Sequence, residues 1–320
     1  MRHGSLAFER YFPGEDALWG RPLGRVDFDA QTLHDLRSVT KSVLAILVGI
    51  AQREGALPDL DARIAELLPH PVARREALSD LRLRQVLTMS AGLAWDELSH
   101  PYSDPRNDEH AMMLADDPVA YALGRPVIAA PGERFAYNGG LPNVLGEIVE
   151  QATGTPLMDY AAERLFCPLG VSRAEWVRHA SGSFVSASGL RLRPRDMARL
   201  GQLVLDDGRA GGVELASRAY LRAATSAQIG TGGGLAPAYG FQWWIDTANA
   251  SANGAPVALA IGNGGQRIAV IRPLDLVVVV TAGAYDSPDQ GRVPAQIVRD
   301  VLRAAGRDGE RPDGGGRPAD

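Results

Sequence analysis

Between Asp35 and Gly55 the chain carries Val43, Leu44, Ala45, Ile46, Leu47, Val48, Ile50 and Ala51, apolar on nearly every face of a 3.6-residue period. Such a segment is a helix buried inside a large domain. Gly55 suits its C-terminal end, and the pattern predicts a helix of roughly Arg37 to Glu54. Ser38 then falls in the first turn, with Lys41 three residues on and on the same face. An amine at the head of an apolar helix is costly unless it is paired or partly neutral. Lys41 is also the only lysine among the 33 Lys plus Arg residues. Unlike arginine, a desolvated lysine can give up its proton near neutral pH. The plainer reading is a core lysine paired to a carboxylate; the chemical one is a serine activated by an adjacent amine.

The remaining composition narrows the function class. A chain of 320 residues, 45% hydrophobic and 22% charged, has the material for a large core. A net charge of −5 argues against a protein that tracks nucleic-acid phosphates. Cys167 is the only cysteine, which leaves no internal disulfide framework. Its neighbours Leu165, Phe166 and Leu169 make it read as a buried structural thiol. No long apolar run follows Met1 to Ser5, so no signal peptide, membrane span or membrane partner is expected, and a cytoplasmic location is the default. His100, Asp104, Asp108 and His110 lack any metal-ligand spacing, and the Ser99–Asp108 region reads as a solvated loop. No metal or other cofactor is expected, and the oligomeric state is not legible.

The order of segments suggests an α/β chain of the α+β kind. Ser5 to Tyr11 reads as a strand, Pro13-Gly14 as a turn, and Arg21 to Asp35 as irregular. Helices are expected at Leu60 to Leu68, Leu81 to Thr88, Pro142 to Ala152, Thr155 to Arg164 and Pro194 to Asp207. Arg191, Arg193, Arg195 and Arg199 read as a solvated face. Beyond Gly230 come strands at Tyr239 to Ile245, Val257 to Ile261, Arg267 to Ile271 and Leu276 to Ala282, then a closing helix from Val293 to Ala305. An antiparallel sheet drawn from both ends of the chain (about 1–35 and 230–305), flanked by helices and with a helical lobe (about 36–229) inserted, fits this order. Residues 306–320 read as a disordered tail.

A serine hydroxyl is a weak nucleophile until a base takes its proton. Lys41 can do that if burial lowers its proton affinity, and Tyr137 can share the task if a cation favours its phenolate. No Gly-x-Ser-x-Gly elbow occurs, and His34 reads as structural. The oxyanion needs donors fixed in advance: the Ser38 N–H at a helix start, and a strand edge, for which Gly262-Asn263-Gly264-Gly265-Gln266 is the candidate. Trp95, Tyr102, Trp243 and Trp244 are candidates to line a pocket. For the paired tryptophans the reading is one in the core and one on the sheet's other face.

Five ordered blocks carry a resemblance: His34 to Lys41, Leu87 to Leu93, Tyr137 to Gly140, Gly189 to Ala198, and Gly262 to Arg267. Together they resemble the serine β-lactamase and penicillin-binding-protein superfamily. More narrowly, they are similar to class C β-lactamase-related serine hydrolases, a group that includes esterases and 6-aminohexanoate-oligomer hydrolases. The resemblance implies a β-lactamase/transpeptidase-like fold in one catalytic domain over 1–305. It implies Ser38 as the acylated nucleophile, Lys41 and Tyr137 as the base pair, Ser38 and Gly265 as oxyanion donors, and Asn138, Asn263 and Gly264 near the substrate.

Two departures qualify what it implies. Gly139 stands where the family's second element has Asn, two residues after Tyr137, and Gly262-Asn263-Gly264 stands where β-lactamases have Lys-Thr-Gly. Without that lysine, efficient β-lactam hydrolysis is not expected, and a small ester or amide is the expected substrate. A catalytically weak ligand-binding or sensor module on the same fold remains the alternative.

Overall fold

A computed structural model of the protein describes residues 1–248 and 254–307. The apolar segment forms helix Val39–Arg53, with every residue from Val39 to Ala51 buried. It packs against helix Gly140–Thr153, strand Val257–Gly262 and helix Arg218–Ala224. Its internal polar groups reach neighbouring backbone: Thr40 Oγ1 accepts from the Leu190 N–H at 3.2 Å, and Ser42 Oγ donates to the Gln242 carbonyl at 2.6 Å. Buried hydroxyls are tolerated where they are satisfied in this way.

Six antiparallel strands form the sheet, in the order Leu276–Val280, Gln266–Ile271, Val257–Gly262, Trp244–Asp246, Ala238–Tyr239 and Ile229–Gly230. Alternation of side chains gives it two apolar faces. Helix Pro194–Leu205 lies on the face carrying Ile268 and Val277, which crowd its Gly201. Helix Arg292–Arg307 lies on the face carrying Val257, Leu259 and Arg267. The structure is therefore the helix-flanked antiparallel sheet, mixed with helices between, that the element order suggested.

Several local expectations are corrected. Ser5–Tyr11 forms no strand. The N-terminus reaches the sheet through Met1 and Arg2 instead: Val277 N–H donates to the Met1 carbonyl at 2.9 Å, and Arg2 bridges Leu276. The first hairpin is Gly14–Leu18 with Arg21–Val26, because Trp19 and Gly20, both at positive φ, supply a tight turn that suits the strand twist. The aromatic run does not form one strand. Gln242 adopts φ 60° and donates to the Val86 and Leu87 carbonyls, which folds Ala238–Tyr239 back against Trp244–Asp246.

The arginine cluster is not a uniformly solvated face. Arg191 is buried and ion-paired with Asp35 at 2.8 Å and with Glu175, while Arg193 and Arg199 both hold Asp196. Cys167 is exposed, not buried; Leu165 and Phe166 take the core positions beside it. Trp243 and Trp244 are both buried. The closing helix continues through Arg307, and the rest of the expected tail, residues 308–320, lies outside the described residues. Among the described residues no helix is long and apolar enough to cross a membrane.

Candidate active site

Ser38 sits at the N-terminal cap of the central helix. Lys41 Nζ donates to Ser38 Oγ at 3.0 Å and to the Ala187 carbonyl at 3.0 Å. The lysine is 1% exposed, so its amine is held among a hydroxyl, a carbonyl and the face of Tyr137, whose ring centroid lies 5.1 Å away. The Tyr137 hydroxyl faces the Ser38 side chain, which acts on its proton affinity, and its ring stacks on Trp244 at 5.5 Å and 26°. One end of the central helix and the loop carrying Tyr137 thus meet at the lysine amine beside the serine.

The turn before Ser38 is strained and clamped. Arg37 has φ 49°, a left-handed conformation unusual for a residue with a side chain. Its guanidinium lies between the rings of Trp19 (4.7 Å) and Tyr285 (4.9 Å), 3.6 Å from Asp35. Asp35 is itself held by Arg191 and by the Trp19 N–H at 2.7 Å. His34, next in line, stacks on Phe28 at 4.9 Å. Burial, helped by the Arg191 charge, pushes its pKa down to about 4, so it is a neutral structural group.

The strand edge meets the serine at Gly262, not at Gly265. A Cβ on Gly262 would lie 2.2 Å from the Leu36 carbonyl oxygen and 3.2 Å from the Ser38 nitrogen. Gly265 turns away: its N–H donates to the Gly262 carbonyl at 3.3 Å, and its α-carbon faces Pro294, Gln290 and Ala282. Gly264 donates to Gln290 Oε1 and packs against Tyr285. The Asn263 side chain is paired with Asp286, donating at 2.7 Å and accepting from its N–H at 2.8 Å. Asn138 is buried, and its Oδ1 accepts from the Gly140 and Leu141 N–H groups at 2.8 and 3.2 Å, the work of a helix cap.

Two residues of the site were not legible as such. Glu97 and Glu109 flank the Ser99–Asp108 segment expected to be a solvated loop and are 2% and 8% exposed. Glu97 Oε2 accepts from Trp95 Nε1 at 2.6 Å and from the Gly139 N–H. Glu109 Oε1 accepts from Ser188 Oγ at 3.3 Å. Burial and the neighbouring Glu109 push Glu97 up to about 8. Tyr137 is raised well above its ordinary value by burial and by Glu97, so it is a neutral phenol and not the phenolate that a nearby cation would favour. The motif-like residues of the loop hold structure: Asp104 pairs Arg106, Asp108 accepts from the Asp96 N–H and from Tyr121, and His110 contacts the Tyr102 carbonyl.

The family model described as Beta-lactamase matches residues 1–303. The chain is 26% identical over 302 residues to the 6-aminohexanoate-dimer hydrolase of Paenarthrobacter ureafaciens, covering 88% of this chain and 74% of that protein. It is 32% identical over 186 residues to Esterase EstB of Burkholderia gladioli, covering 53% and 44%. Among solved structures, a putative 6-aminohexanoate-dimer hydrolase from Bacillus anthracis superposes with a TM-score of 0.73 at 20% identity, over 90% of this chain and 78% of that one. Several curated relatives are matched over only 36% to 44% of their own length.

Proposed function

From the chain's membership in the beta-lactamase family, whose model covers nearly its whole length, we propose that it is a serine hydrolase acting on a small ester or amide through an acyl-enzyme on Ser38. The observation that carries this reading is the Lys41 amine 3.0 Å from Ser38 Oγ in a buried setting, with the Tyr137 ring centroid 5.1 Å from the same amine. Lys41 takes the Ser38 proton while Oγ attacks the substrate carbonyl. The proton passes through the Tyr137 hydroxyl to the leaving oxygen or nitrogen as its bond to the acyl carbon breaks. Water, giving its proton back along the same path, then releases the acid and restores the serine.

For the oxyanion, the Ser38 N–H is one donor. Gly262 directs its carbonyl toward Gly265 within the hairpin, and pleat alternation turns the N–H of the next residue, Asn263, to the opposite edge, beside Ser38. In this reading the second donor is Asn263 in place of Gly265. The strand offers no cationic side chain from Gly262 to Gly264, and the buried carboxyls of Glu97 and Glu109 add negative character beneath the site. A substrate bearing a carboxylate beside its reacting carbonyl, as β-lactams do, is therefore disfavoured. Relatives named as an esterase and as a 6-aminohexanoate-dimer hydrolase support the choice of ester and amide.

The test is steady-state hydrolysis of a short-chain chromogenic ester, a small amide and a chromogenic β-lactam by wild type and Lys41→Ala. The reading expects ester or amide turnover well above β-lactam turnover, nearly abolished in Lys41→Ala. Unchanged kinetics in the variant would overturn it.

A further inference from the structure

A pair of carboxyl groups occupies the place of a missing side chain. A Cβ on Gly139 would lie 2.9 Å from Glu97 Oε2 and 3.1 Å from Glu109 Oε2. Both oxygens thus crowd the one point where a residue other than glycine would begin its side chain. Gly139 has an ordinary helical φ of −66°, so space, and not backbone conformation, demands glycine here. The same Glu97 oxygen accepts the Gly139 N–H, two residues beyond Tyr137. Trp95 and Tyr102 donate to Glu97, and Ser188 donates to Glu109.

The ionisable groups facing the pair are Lys41 from the central helix, Tyr102 from the Glu97–Glu109 segment, Tyr137, His179 and Tyr239. Of these, Lys41 is the group that opposes the rise of Glu97, yet its amine is bonded to Ser38 and Ala187. Two carboxylates this close and this buried cannot both be charged without severe repulsion.

We propose that Glu97 and Glu109 act as one positioning unit for Tyr137: a carboxyl–carboxylate pair, carrying a single proton, that fills the space beside Gly139 and holds its N–H so that the phenol is aimed at Ser38. The pair touches neither Ser38 nor the reacting atoms; it acts through the Gly139 backbone and through its charge. This rests on the reading of Tyr137 as the proton carrier. With one proton the unit carries one negative charge, enough to keep Tyr137 a neutral phenol. Losing that proton puts a second charge beneath the loop. The direction of Glu97's shift agrees with a proton retained through neutral pH.

The test has a spectroscopic arm that needs no turnover and a kinetic arm that does. Infrared difference spectra of the wild-type protein across pH 6 to 10 should show a protonated carboxyl C=O band at pH 7 that disappears on the alkaline side. In Glu109→Gln the band should be lost at a lower pH than in wild type, because burial alone then raises Glu97. In kinetics, Glu109→Gln should lower kcat by on the order of 10²-fold and move the alkaline ionisation of the wild-type kcat/KM profile. Gly139→Asn, which supplies the side chain that the family pattern would have, should also lower kcat. Circular dichroism checks that each variant is folded, and the wild-type band alone decides the matter if a variant is not. No protonated carboxyl at pH 7, or a Glu109→Gln pH profile that matches wild type, would overturn the proposal. A titrating band in a protein with no ester or amide turnover would instead refute the hydrolase reading and leave the shared proton standing.

Discussion

Gly262→Ala is the most demanding perturbation of the site because the contact it breaks is between two backbones. The added methyl would lie 2.2 Å from the Leu36 carbonyl oxygen and 3.2 Å from the Ser38 nitrogen. A carbon and a carbonyl oxygen rest at about 3.3 Å or more, so strand and helix start must separate by about 1 Å. Neither partner is the end of a side chain that can swing away. Displacing a catalytic group by that distance costs on the order of 10²-fold in rate, and overpacking of this kind destabilises by about 1–3 kcal/mol. The assay is kcat on a chromogenic ester together with the rate of labelling by a fluorophosphonate, with the melting temperature in parallel. Gly124→Ala, whose added methyl meets nothing within 4 Å, is the control for replacing a glycine as such. Gly262→Ala should lose both activities while Gly124→Ala keeps them. Activity in Gly262→Ala within a few-fold of wild type would refute the placement of this strand edge against the nucleophile.

Two further outcomes are expected. Tyr137→Phe keeps the stacking on Trp244 and loses only the hydroxyl, so kcat should fall by about 10²–10⁴-fold with little change in melting temperature, as read by steady-state kinetics and calorimetry. His34 is held neutral with a pKa of about 4 in the folded chain, against about 6.5 when unfolded. Between those values the unfolded state binds more protons, so stability falls as pH drops from about 6.5 toward 4, by about 3 kcal/mol in all. Denaturant titrations at steps between pH 7 and 4 should show that slope in wild type and a shallower one in His34→Asn.

The sequence showed its central helix because an unbroken apolar run has one comfortable fate, and it showed Ser38 and Lys41 because a lone amine within that run needs a reason. Tyr137 was legible from its place just before a helix start. The residues that were misread share a cause: composition registers polarity but not direction. Glu97 and Glu109 lie amid Asp, Pro, Ser and Asn, as solvent-facing loops do, yet the segment turns inward once Asn107 caps a short helix, accepting from the Glu109 and His110 N–H groups. The Gly139 in place of an asparagine was a signal that something else fills that volume. Arg191 looked like one of four surface arginines, and only the pairing of Asp35 with a strand 156 residues away buries it. Asn138 looked like a binding group because it adjoins Tyr137, whereas its position before a helix makes it a cap. Gly265 was chosen from a glycine-rich hairpin in which register, invisible before the strands are paired, puts Gly262 against the serine.

The central claim is that chemistry occurs on the Ser38 hydroxyl with Lys41 beside it. Intact-mass and peptide-mapping mass spectrometry after brief incubation with a chromogenic ester, and separately with a fluorophosphonate, tests it most directly in wild type, Ser38→Ala and Lys41→Ala. An adduct that maps to Ser38 in wild type, is absent in Ser38→Ala and forms far more slowly in Lys41→Ala is the predicted result. An adduct on another residue, or chromophore release that persists in Ser38→Ala, would contradict it.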